Sequence, residues 1–401
     1  MTRKHMWTLL RVLVTVGLFS YVFGVLIETQ DRVVLRDGTT LRGRFLNETS
    51  EGFEFRLAGT SEVREISRKD VAPGSSGLGL DVHPGFVTIV RRCQVKYLVA
   101  ALFLWALCPL VAVIRWQTLN RSVGIVIPHM KAFRWNFIAL FYNNVLPGMT
   151  GGDVIKAVYV ARATERRTGA VVTVFLDRVI GLFALATLAA ATLPFHLDNP
   201  DYRRAFYLVY GLLLAFAVGA GTLFSRRIRR RLKLGALIAR LPFEGLIRTA
   251  DEVMMRFRDQ KKAIALAWGL SIINHVTAVS VNAICCRSLG IEGVTFGTLL
   301  VMLPTIWMIS AIPISVGGWG LSEALYASSF ERIGGAVGGA GAMGTRAVAL
   351  SIIVRMITIA WSLIGGIYLL VGEKASPAAE VEAMDDGGGD PISEVGKDGD
   401  G

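Results

Sequence analysis

Charged residues are scarce in this chain. Of its 401 residues, 18% are charged and 53% are hydrophobic, and the mean hydropathy is +0.50. Soluble domains carry about a quarter charged residues. Runs of about 20 apolar residues, long enough for a helix to cross a bilayer core, recur along the sequence. A water-soluble fold is therefore excluded, and the sequence predicts an all-α polytopic membrane protein.

Cysteine and catalytic motifs are equally sparse. The four cysteines form no Cys-x-x-Cys pair, and the sequence has no nucleophile elbow, phosphate-binding loop or zinc-protease motif. Cysteine spacing therefore indicates neither a disulfide framework nor a common structural zinc site. We expect no metal, no cofactor and no enzymatic activity.

The positive charge lies beside the apolar runs. The net charge is +12, and residues 225–262 hold twelve Arg and Lys against four acids. Basic residues next to membrane spans usually face the cytoplasm, so we expect membrane orientation, and no nucleic-acid partner, from this charge. The protein is predicted to be a multi-pass protein of the cell (inner) membrane, with both termini in the cytoplasm.

The first 94 residues divide into two parts. Residues 1–27 predict an uncleaved N-terminal transmembrane anchor. Residues 28–94 instead alternate apolar and polar positions around the hairpin signal Asp37-Gly38. This pattern predicts a small all-β, SH3-like domain of about five strands with a linker. We expect the domain to be extracytoplasmic and to be a docking surface for a protein partner.

Residues 95–372 form the predicted transmembrane domain. It consists of two halves, 97–195 and 263–371, which are joined by a span at 205–224 and the cytoplasmic basic segment 225–262. Residues 373–401 predict a disordered acidic tail. Within the halves, the uninterrupted spans are expected at 97–116, 169–195, 263–284 and 345–371.

Two further apolar segments, 133–163 and 294–332, are interrupted in the same way. Pro147 is followed after three residues by Gly151-Gly152, and Pro313 by Gly317-Gly318. Non-helical backbone at membrane depth is tolerated where it is enclosed by protein or lines a cavity, and matched breaks indicate a binding site between repeats. The sequence therefore predicts two re-entrant or broken helical hairpins in an inverted repeat. The alternative is a chance match in a chain with 43 glycines.

Three motifs carry a family resemblance. The stretches "NNVLPGMTGGDVIKAVYVAR", "VVTVFLDRVIGL" and "PISVGGWGLSEA" resemble the flippase-like transmembrane domain of bacterial lysylphosphatidylglycerol synthases, and "IRWQTL" also fits. The resemblance covers about 97–372 and implies an integral inner-membrane protein that moves polar lipids. It does not imply lipid synthesis, because in the two-domain synthases aminoacyl transfer resides in a soluble C-terminal domain. The strand domain departs from the family pattern.

Charged residues within the spans are the main functional candidates. Asp153 and Lys156 are spaced to share a helix face, either to contact a headgroup phosphate or to form an internal ion pair. Asp177 and Arg178 are adjacent and too far apart in angle to pair with each other. We expect Arg178 to pair with Glu323, and Arg355 with Asp177, around one cavity between the halves. A purely structural bridge between helices is the alternative.

Polar and helix-breaking residues at the interruptions complete the predicted lipid-binding site. Asn143 and Asn144 are placed to satisfy backbone groups freed by the first break. The complete set of candidates is Asn143, Asn144, Pro147, Gly151, Gly152, Asp153, Lys156, Asp177, Arg178, Pro313, Ser315, Gly317, Gly318, Glu323 and Arg355.

These residues predict a protein that binds and translocates a polar or glycosylated lipid across the inner membrane. Its expected partners are anionic or glycosylated membrane lipids. The alternatives are a secondary transporter for a small solute, and an accessory subunit of an envelope complex that modifies lipids or glycans. The sequence leaves the oligomeric state open.

Overall fold

A computed structural model of the protein describes most of the chain from residue 29 to residue 371. The predicted anchor, most of the basic segment and the acidic tail lie outside the described residues, apart from a few isolated positions. The continuous ranges are 29–49, 51–73, 80–145, 151–196, 200–224, 255–311, 318–337 and 340–371.

The N-terminal domain is an antiparallel sheet, as predicted. Its strands are β1 (Asp31–Val34), β2 (Thr40–Glu48), β3 (Gly52–Leu57), β4 (Val63–Ser67) and β5 (Val82–His83). They lie in the order β4-β3-β2-β1-β5. The hairpin signal forms the β1–β2 turn, where Gly38 has φ 83°, a conformation that glycine adopts readily. The alternating residues Val33, Phe45, Phe53 and Phe55 meet in a buried core.

A buried carboxylate joins this domain to the first helix, α1 (Phe86–Arg91). Asp31, which is 2% exposed, accepts hydrogen bonds from the backbone N–H groups of Phe45 and Gly85, both at 2.6 Å. It also accepts one from Thr88 Oγ1 at 2.8 Å. The donors come from β2, from the residue before α1 and from α1 itself, so one side chain connects the sheet to the helical domain.

The remaining described chain is helical. The helices are α2 (Val95–Trp105), α3 (Leu107–Ser122), α4 (His129–Val145), α5 (Gly151–Ala163), α6 (Arg167–Thr192), α7 (Pro200–Phe224), α8 (Lys261–Ser288), α9 (Phe296–Ser310), α10 (Leu321–Val337) and α11 (Ala340–Val371).

Four helical stretches are long and apolar enough to cross a membrane: Val95–Ser122, Arg167–Phe195, Lys261–Ser288 and Met343–Val371. They contain the four uninterrupted spans predicted within the two halves, so the chain is a multi-pass membrane protein. The predicted span 205–224 lies in α7, whose apolar stretch Phe206–Gly219 is shorter. Each interrupted segment contains two helices, α4 and α5 in the first half and α9 and α10 in the second.

Two prolines explain local departures from regular helix. Pro109 has no N–H for the carbonyl of Trp105, and the first long span is divided there into α2 and α3. Pro304 lies inside α9 and leaves the carbonyl of Leu300 without its helical donor. Thr192 Oγ1, at the end of α6, lies 3.3 Å from that carbonyl and also within hydrogen-bond distance of the Leu188 and Ala189 carbonyls of its own helix.

The helices pack in a reciprocal pattern. The first half comprises α2–α6 and the second α8–α11. The first half begins with the long stretch α2–α3, and the second half begins with α8. These two stretches pack against each other. The helix that follows this stretch in each half contacts the last helix of the other half: α4 packs against α11, and α9 packs against α6.

The first interrupted segment is a tight hairpin of α4 and α5. A Cβ added at Gly152 would overlap the carbonyl oxygen of Ala139, so glycine is required where the two backbones approach. The N–H of Gly152 donates to Asn143 Oδ1 at 2.9 Å. The hairpin thereby brings the start of α5 against the end of α4, and it positions Asp153 and Lys156 beside α6.

Candidate functional site

A cavity of about 420 Å³ with charged side chains in its wall lies between the two halves. Its wall receives residues from α2 to α6 in the first half and from α8 and α9 in the second. Five of the lining side chains belong to Asp, Lys or Arg residues: Arg115, Asp153, Lys156, Asp177 and Arg178. Each of these five comes from the first half.

Arg115 and Asp177 form the most buried ion pair of the cavity. Arg115 donates through Nε and Nη2 to the two carboxylate oxygens of Asp177, both at 2.8 Å. The third guanidinium nitrogen, Nη1, donates to Ser271 Oγ of α8 at 2.9 Å. A two-pronged bond of this kind fixes both side chains in one geometry. It also connects α3, α6 and the second half at one point.

Lys156 is buried next to this pair, at 4% exposure. Its ammonium donates to Asn136 Oδ1 at 3.1 Å and lies 3.9 Å from the centre of the Trp116 ring. An ammonium over an indole face is stabilised by the ring quadrupole. The charge is therefore held by an amide and an aromatic ring, and it also interacts with the carboxylates of Asp177 and Asp153.

Arg178 pairs with Asp153 at the more open side of the cavity. The side chains of Arg178 and Asp153 are 45% and 18% exposed. Those of Arg115 and Asp177 are 11% and 10% exposed. Three basic and two acidic side chains line the cavity, so its wall has an excess of one formal positive charge.

Two polar residues of α8 complete the wall. His275 Nε2 lies 3.0 Å from the carbonyl oxygen of Gly181, and because a carbonyl only accepts, this nitrogen is the donor. Asn274 Oδ1 is buried without a hydrogen-bond partner among the described residues. Buried acceptors are normally satisfied, so this oxygen is an exception among the polar atoms beside the cavity.

Glu323 and Arg355 form a separate pair in the second half, and neither lines the cavity. Arg355 Nη2 lies 3.2 Å from Glu323 Oε1, and its guanidinium lies over the Trp319 ring at 4.2 Å. Glu323 also accepts from the Gly320 N–H at 2.7 Å and from Ser351 Oγ at 3.3 Å. These contacts enclose the buried carboxylate beside the second interruption.

The predicted pairing across the halves is therefore wrong. Arg178 pairs with Asp153 instead of Glu323, Arg355 pairs with Glu323, and Asp177 pairs with Arg115. The short helix that follows each break packs against the long helix after it, so a partner within the same half is nearer than one in the other. The prediction of a single cavity lined by all four charges is wrong for the same reason.

Of the other predicted residues, some line the cavity and others do not. Asn143 lines the cavity, but it satisfies a backbone N–H rather than a freed carbonyl. Asn144 donates to the Leu140 carbonyl within its own helix at 2.9 Å and is exposed. Gly151 is the first residue of α5, and the Gly318 carbonyl lies 3.5 Å from Arg355 Nη2. The predicted residues outside the described part of the chain are Pro147, Pro313, Ser315 and Gly317.

Sequence reasoning missed two residues of the cavity, Arg115 and Asn136. Arg115 was visible only as part of the "IRWQTL" motif, although a buried arginine inside a span is costly and usually has a partner. Asn136 gives no comparable signal, because a single amide in an apolar segment is compatible with many contacts. Among the described residues, no group of His, Cys, Asp or Glu is arranged to hold a metal ion.

The comparisons with known proteins agree with this architecture. Residues 83–366 match the model of the lysylphosphatidylglycerol synthase transmembrane region. The chain belongs to this family. It is also 24% identical over 318 residues to a UPF0104 membrane protein of Pyrococcus horikoshii, an alignment that covers 72% of this chain and 90% of the relative.

The matched residues include the charged wall of the cavity but not the first four strands. All five Asp, Lys and Arg residues of the cavity wall lie inside 83–366, whereas strands β1 to β4 precede this range. The lysylphosphatidylglycerol synthase transmembrane region therefore corresponds to α1–α11. The strand domain is an addition in front of it.

Proposed function

We propose that the protein binds a polar lipid with an anionic headgroup in the cavity between its halves and translocates it across the membrane. The observation that carries this proposal is the excess positive charge of the cavity wall. The same wall contains apolar side chains, among them Leu140, Leu182 and Trp307. A ligand with a charged head and an apolar tail matches both parts. The family's name, taken from an enzyme of lipid synthesis, also supports a lipid.

The inverted repeat is part of this proposal. The reciprocal packing of α4 with α11 and of α9 with α6 supports a pseudo-twofold relation between the halves. The two ion pairs Asp153–Arg178 and Glu323–Arg355 support it as well. In each pair an acid at the start of the helix after the break meets an arginine on the next long helix. Broken helices at corresponding positions of two repeats are typical of transporter binding sites.

The headgroup would exchange partners with the charges of the wall. Arg178 is the most exposed of the three cations, so an incoming phosphate reaches it first and competes with Asp153. Lys156, whose ammonium contacts an amide and an aromatic ring, then supplies a second contact. Arg115 remains bound to Asp177 and Ser271 and keeps the wall in place. Each exchange replaces one charge-assisted contact by another, which limits the cost of moving a charge through the membrane.

A small-solute transporter is the second candidate, and the volume of the cavity favours considering it, because about 420 Å³ accommodates a headgroup-sized molecule. The apolar part of the wall favours the lipid. An accessory role in an envelope complex would leave the charged cavity without a use.

The orientation completes the proposal. The chain is placed in the cell membrane, with both termini in the cytoplasm and the strand domain on the opposite side. The excess of basic residues in 225–262 supports this direction, because such segments stay in the cytoplasm.

Lipid movement in reconstituted vesicles tests the proposal. Fluorescent phosphatidylglycerol is incorporated, and the fraction accessible to a membrane-impermeant quencher is followed with time. We expect Arg178→Gln to slow this exchange about tenfold, because it removes one charge-assisted contact to the headgroup. Arg134→Gln is the matched control, since Arg134 lies over Tyr368 and does not line the cavity.

Two outcomes would contradict it. The first is an unchanged rate for Arg178→Gln, and the second is an equal loss in the Arg134→Gln control. Uptake of radiolabelled glycerol 3-phosphate without movement of phosphatidylglycerol would favour the small-solute transporter instead.

A further inference from the structure

The sheet of the strand domain has one face that points away from its core. Side chains alternate between the two faces along a strand. On β3, Phe53 and Phe55 belong to the buried core. Glu54 and Arg56 therefore point to the opposite side, where both are exposed. We call this side the outer face, and it is a surface separate from the cavity.

Like charges are paired across the strands of the outer face. Arg56 of β3 lies directly opposite Arg44 of β2. Glu54 of β3 lies directly opposite Glu65 of β4. Like charges in direct cross-strand pairs destabilise a sheet. Among the described residues, none of these four side chains has an ion-pair partner, so both repulsions remain in the folded domain.

The basic pair and the acidic pair form two neighbouring rows. Arg56 and Glu54 are two residues apart on β3, which separates the rows by about 7 Å along the strands. Consider a second copy of the face, related to the first by a half-turn about an axis that crosses the strands between the rows. Its acidic row lies over the basic row of the first copy, and its basic row lies over the acidic one. The outer face is therefore complementary to itself.

The half-turn brings Arg56 against the partner's Glu54. Because a twofold contact is isologous, Glu54 also meets the partner's Arg56, and the ion pair occurs twice. Val63 of β4, opposite Arg56 in the same row, is 49% exposed and adds apolar area for the contact to remove from water. Sheets that pack face to face keep their strand directions roughly aligned, and this half-turn preserves that alignment.

The direction of the axis suits two copies in one membrane. Both copies have the same orientation relative to the bilayer, so the twofold axis that relates them is perpendicular to it. β5, at one edge of the sheet, packs against α11, and β4 is the other edge. A line across the strands from β5 to β4 therefore leads away from the helical domain. Such an axis allows the outer faces to meet while both helical domains stay in the bilayer.

The acidic tail of the chain is a less suitable partner for the basic row. The strand domain packs near the start of α11, where Phe86 of α1 lies against Val348. The tail follows the other end of this helix, beyond Val371. About 35 Å of helix separates the two points, which is the thickness of a membrane core. The acids of a second copy are on the same side of the membrane as the arginines.

We propose that the outer face of the strand domain is a homodimer interface, in which the Arg44–Arg56 row of each copy binds the Glu54–Glu65 row of the other. The ion pairs across the interface replace the two like-charge contacts that each isolated sheet retains. The strand domain thereby brings two helical domains, each with its own cavity, side by side.

Energy transfer between labelled copies in vesicles measures this association. The full-length protein, with its native cysteines replaced and Thr60→Cys in the β3–β4 turn as the labelling site, is reconstituted at a series of protein-to-lipid ratios. We expect Arg56→Glu to raise the apparent dissociation constant about tenfold or more, because acids then face acids at both contacts. Arg64→Glu is the matched control, since Arg64 is also exposed but lies opposite Phe55, on the other face.

A charge exchange between copies makes the test specific. Glu54→Arg alone is expected to weaken association as Arg56→Glu does. When donor-labelled Arg56→Glu protein is mixed with acceptor-labelled Glu54→Arg protein, every contact between unlike copies again joins an acid to a base. We expect energy transfer in this mixture to return to the level of the unmodified protein.

Several results would overturn the assignment. Energy transfer in the unmodified protein no higher than random encounter predicts would remove the dimer, and equal weakening by Arg64→Glu would show a general effect of charge. A mixture that does not recover would place the contact elsewhere. If a charge reversal unfolds the strand domain, Arg56→Gln and Glu54→Gln carry the test. Each removes one member of both contacts, so weaker association supports the proposal and unchanged association contradicts it.

Discussion

The two ion pairs of the cavity differ in how far the protein buries them. Arg115 and Asp177 keep 11% and 10% of their side-chain exposure, whereas Arg178 keeps 45%. Breaking a buried pair leaves one charge without compensation, while an exposed pair is screened and contributes little. The Arg115–Asp177 pair is therefore structural, and the Arg178–Asp153 pair is the one that can open.

A double-mutant cycle separates these roles. We expect Arg115→Met and Asp177→Asn each to destabilise the protein by about 3–5 kcal/mol, and the double variant to lose less than the sum. For Arg178→Met and Asp153→Asn, the coupling is expected to be about 1 kcal/mol or less. Thermal unfolding in detergent gives both cycles. Equal coupling energies for the two pairs would contradict the distinction.

At the level of elements, the α4–α5 hairpin depends on the close approach at Gly152. We expect Gly152→Ala to destabilise the protein by about 1–3 kcal/mol, because the added methyl group forces the backbones apart. The control is Gly269→Ala in α8, where an added Cβ has no atom within 4 Å. Alanine is the better helix former, so this change is expected to stabilise by up to about 1 kcal/mol.

Thermal unfolding of the two glycine variants in the same detergent checks this prediction. A Gly152→Ala variant as stable as the Gly269→Ala control would mean that the hairpin tolerates separation. In that case the position of Asp153 and Lys156 would not rest on the packing of α4 against α5.

The sequence predicted the elements more completely than their contacts. The Asp37-Gly38 signal, the period-2 strands and the four uninterrupted apolar runs of residues 97–371 depend on neighbouring residues. Each corresponds to an observed turn, strand or helix. The partner of a buried charge depends on which helices become neighbours. Arg178 could have reached several acids by sequence alone, and only the packing of α5 against α6 selects Asp153.

For the whole molecule, the orientation in the membrane is open to a direct test. Single cysteines are placed at Arg64 in the strand domain and at Lys262 near the start of α8, in a variant whose four native cysteines are replaced. We expect a membrane-impermeant maleimide to label the Arg64→Cys protein in intact cells, and the Lys262→Cys protein only after the membrane is opened. Labelling of both sites in intact cells, or of Lys262→Cys alone, would contradict the proposed orientation.

The division into two halves was accessible from the sequence because Pro and Gly interrupt both apolar segments at corresponding positions. The location of the charged cavity was not. Its wall contains Arg115 and Asn274, and Ser271 accepts a hydrogen bond from Arg115. These residues lie outside the repeated motif and come together only when α3, α6 and α8 pack. The matched breaks therefore predicted two pairs of broken helices, while the charges of the cavity wall include residues that lie outside those breaks.

The hydrogen bonds of Asp31 couple the orientation of the strand domain to that of α1. Asp31 bonds to β2, to Gly85 and to α1 at once, and α1 itself packs against α11. We therefore expect a tilt of α1 to turn the sheet with it. A dye on the exposed β3–β4 turn would then sweep an arc far larger than the displacement at the helix. Small rearrangements of the second half could be read, molecule by molecule, as changes in the distance from that turn to the membrane plane.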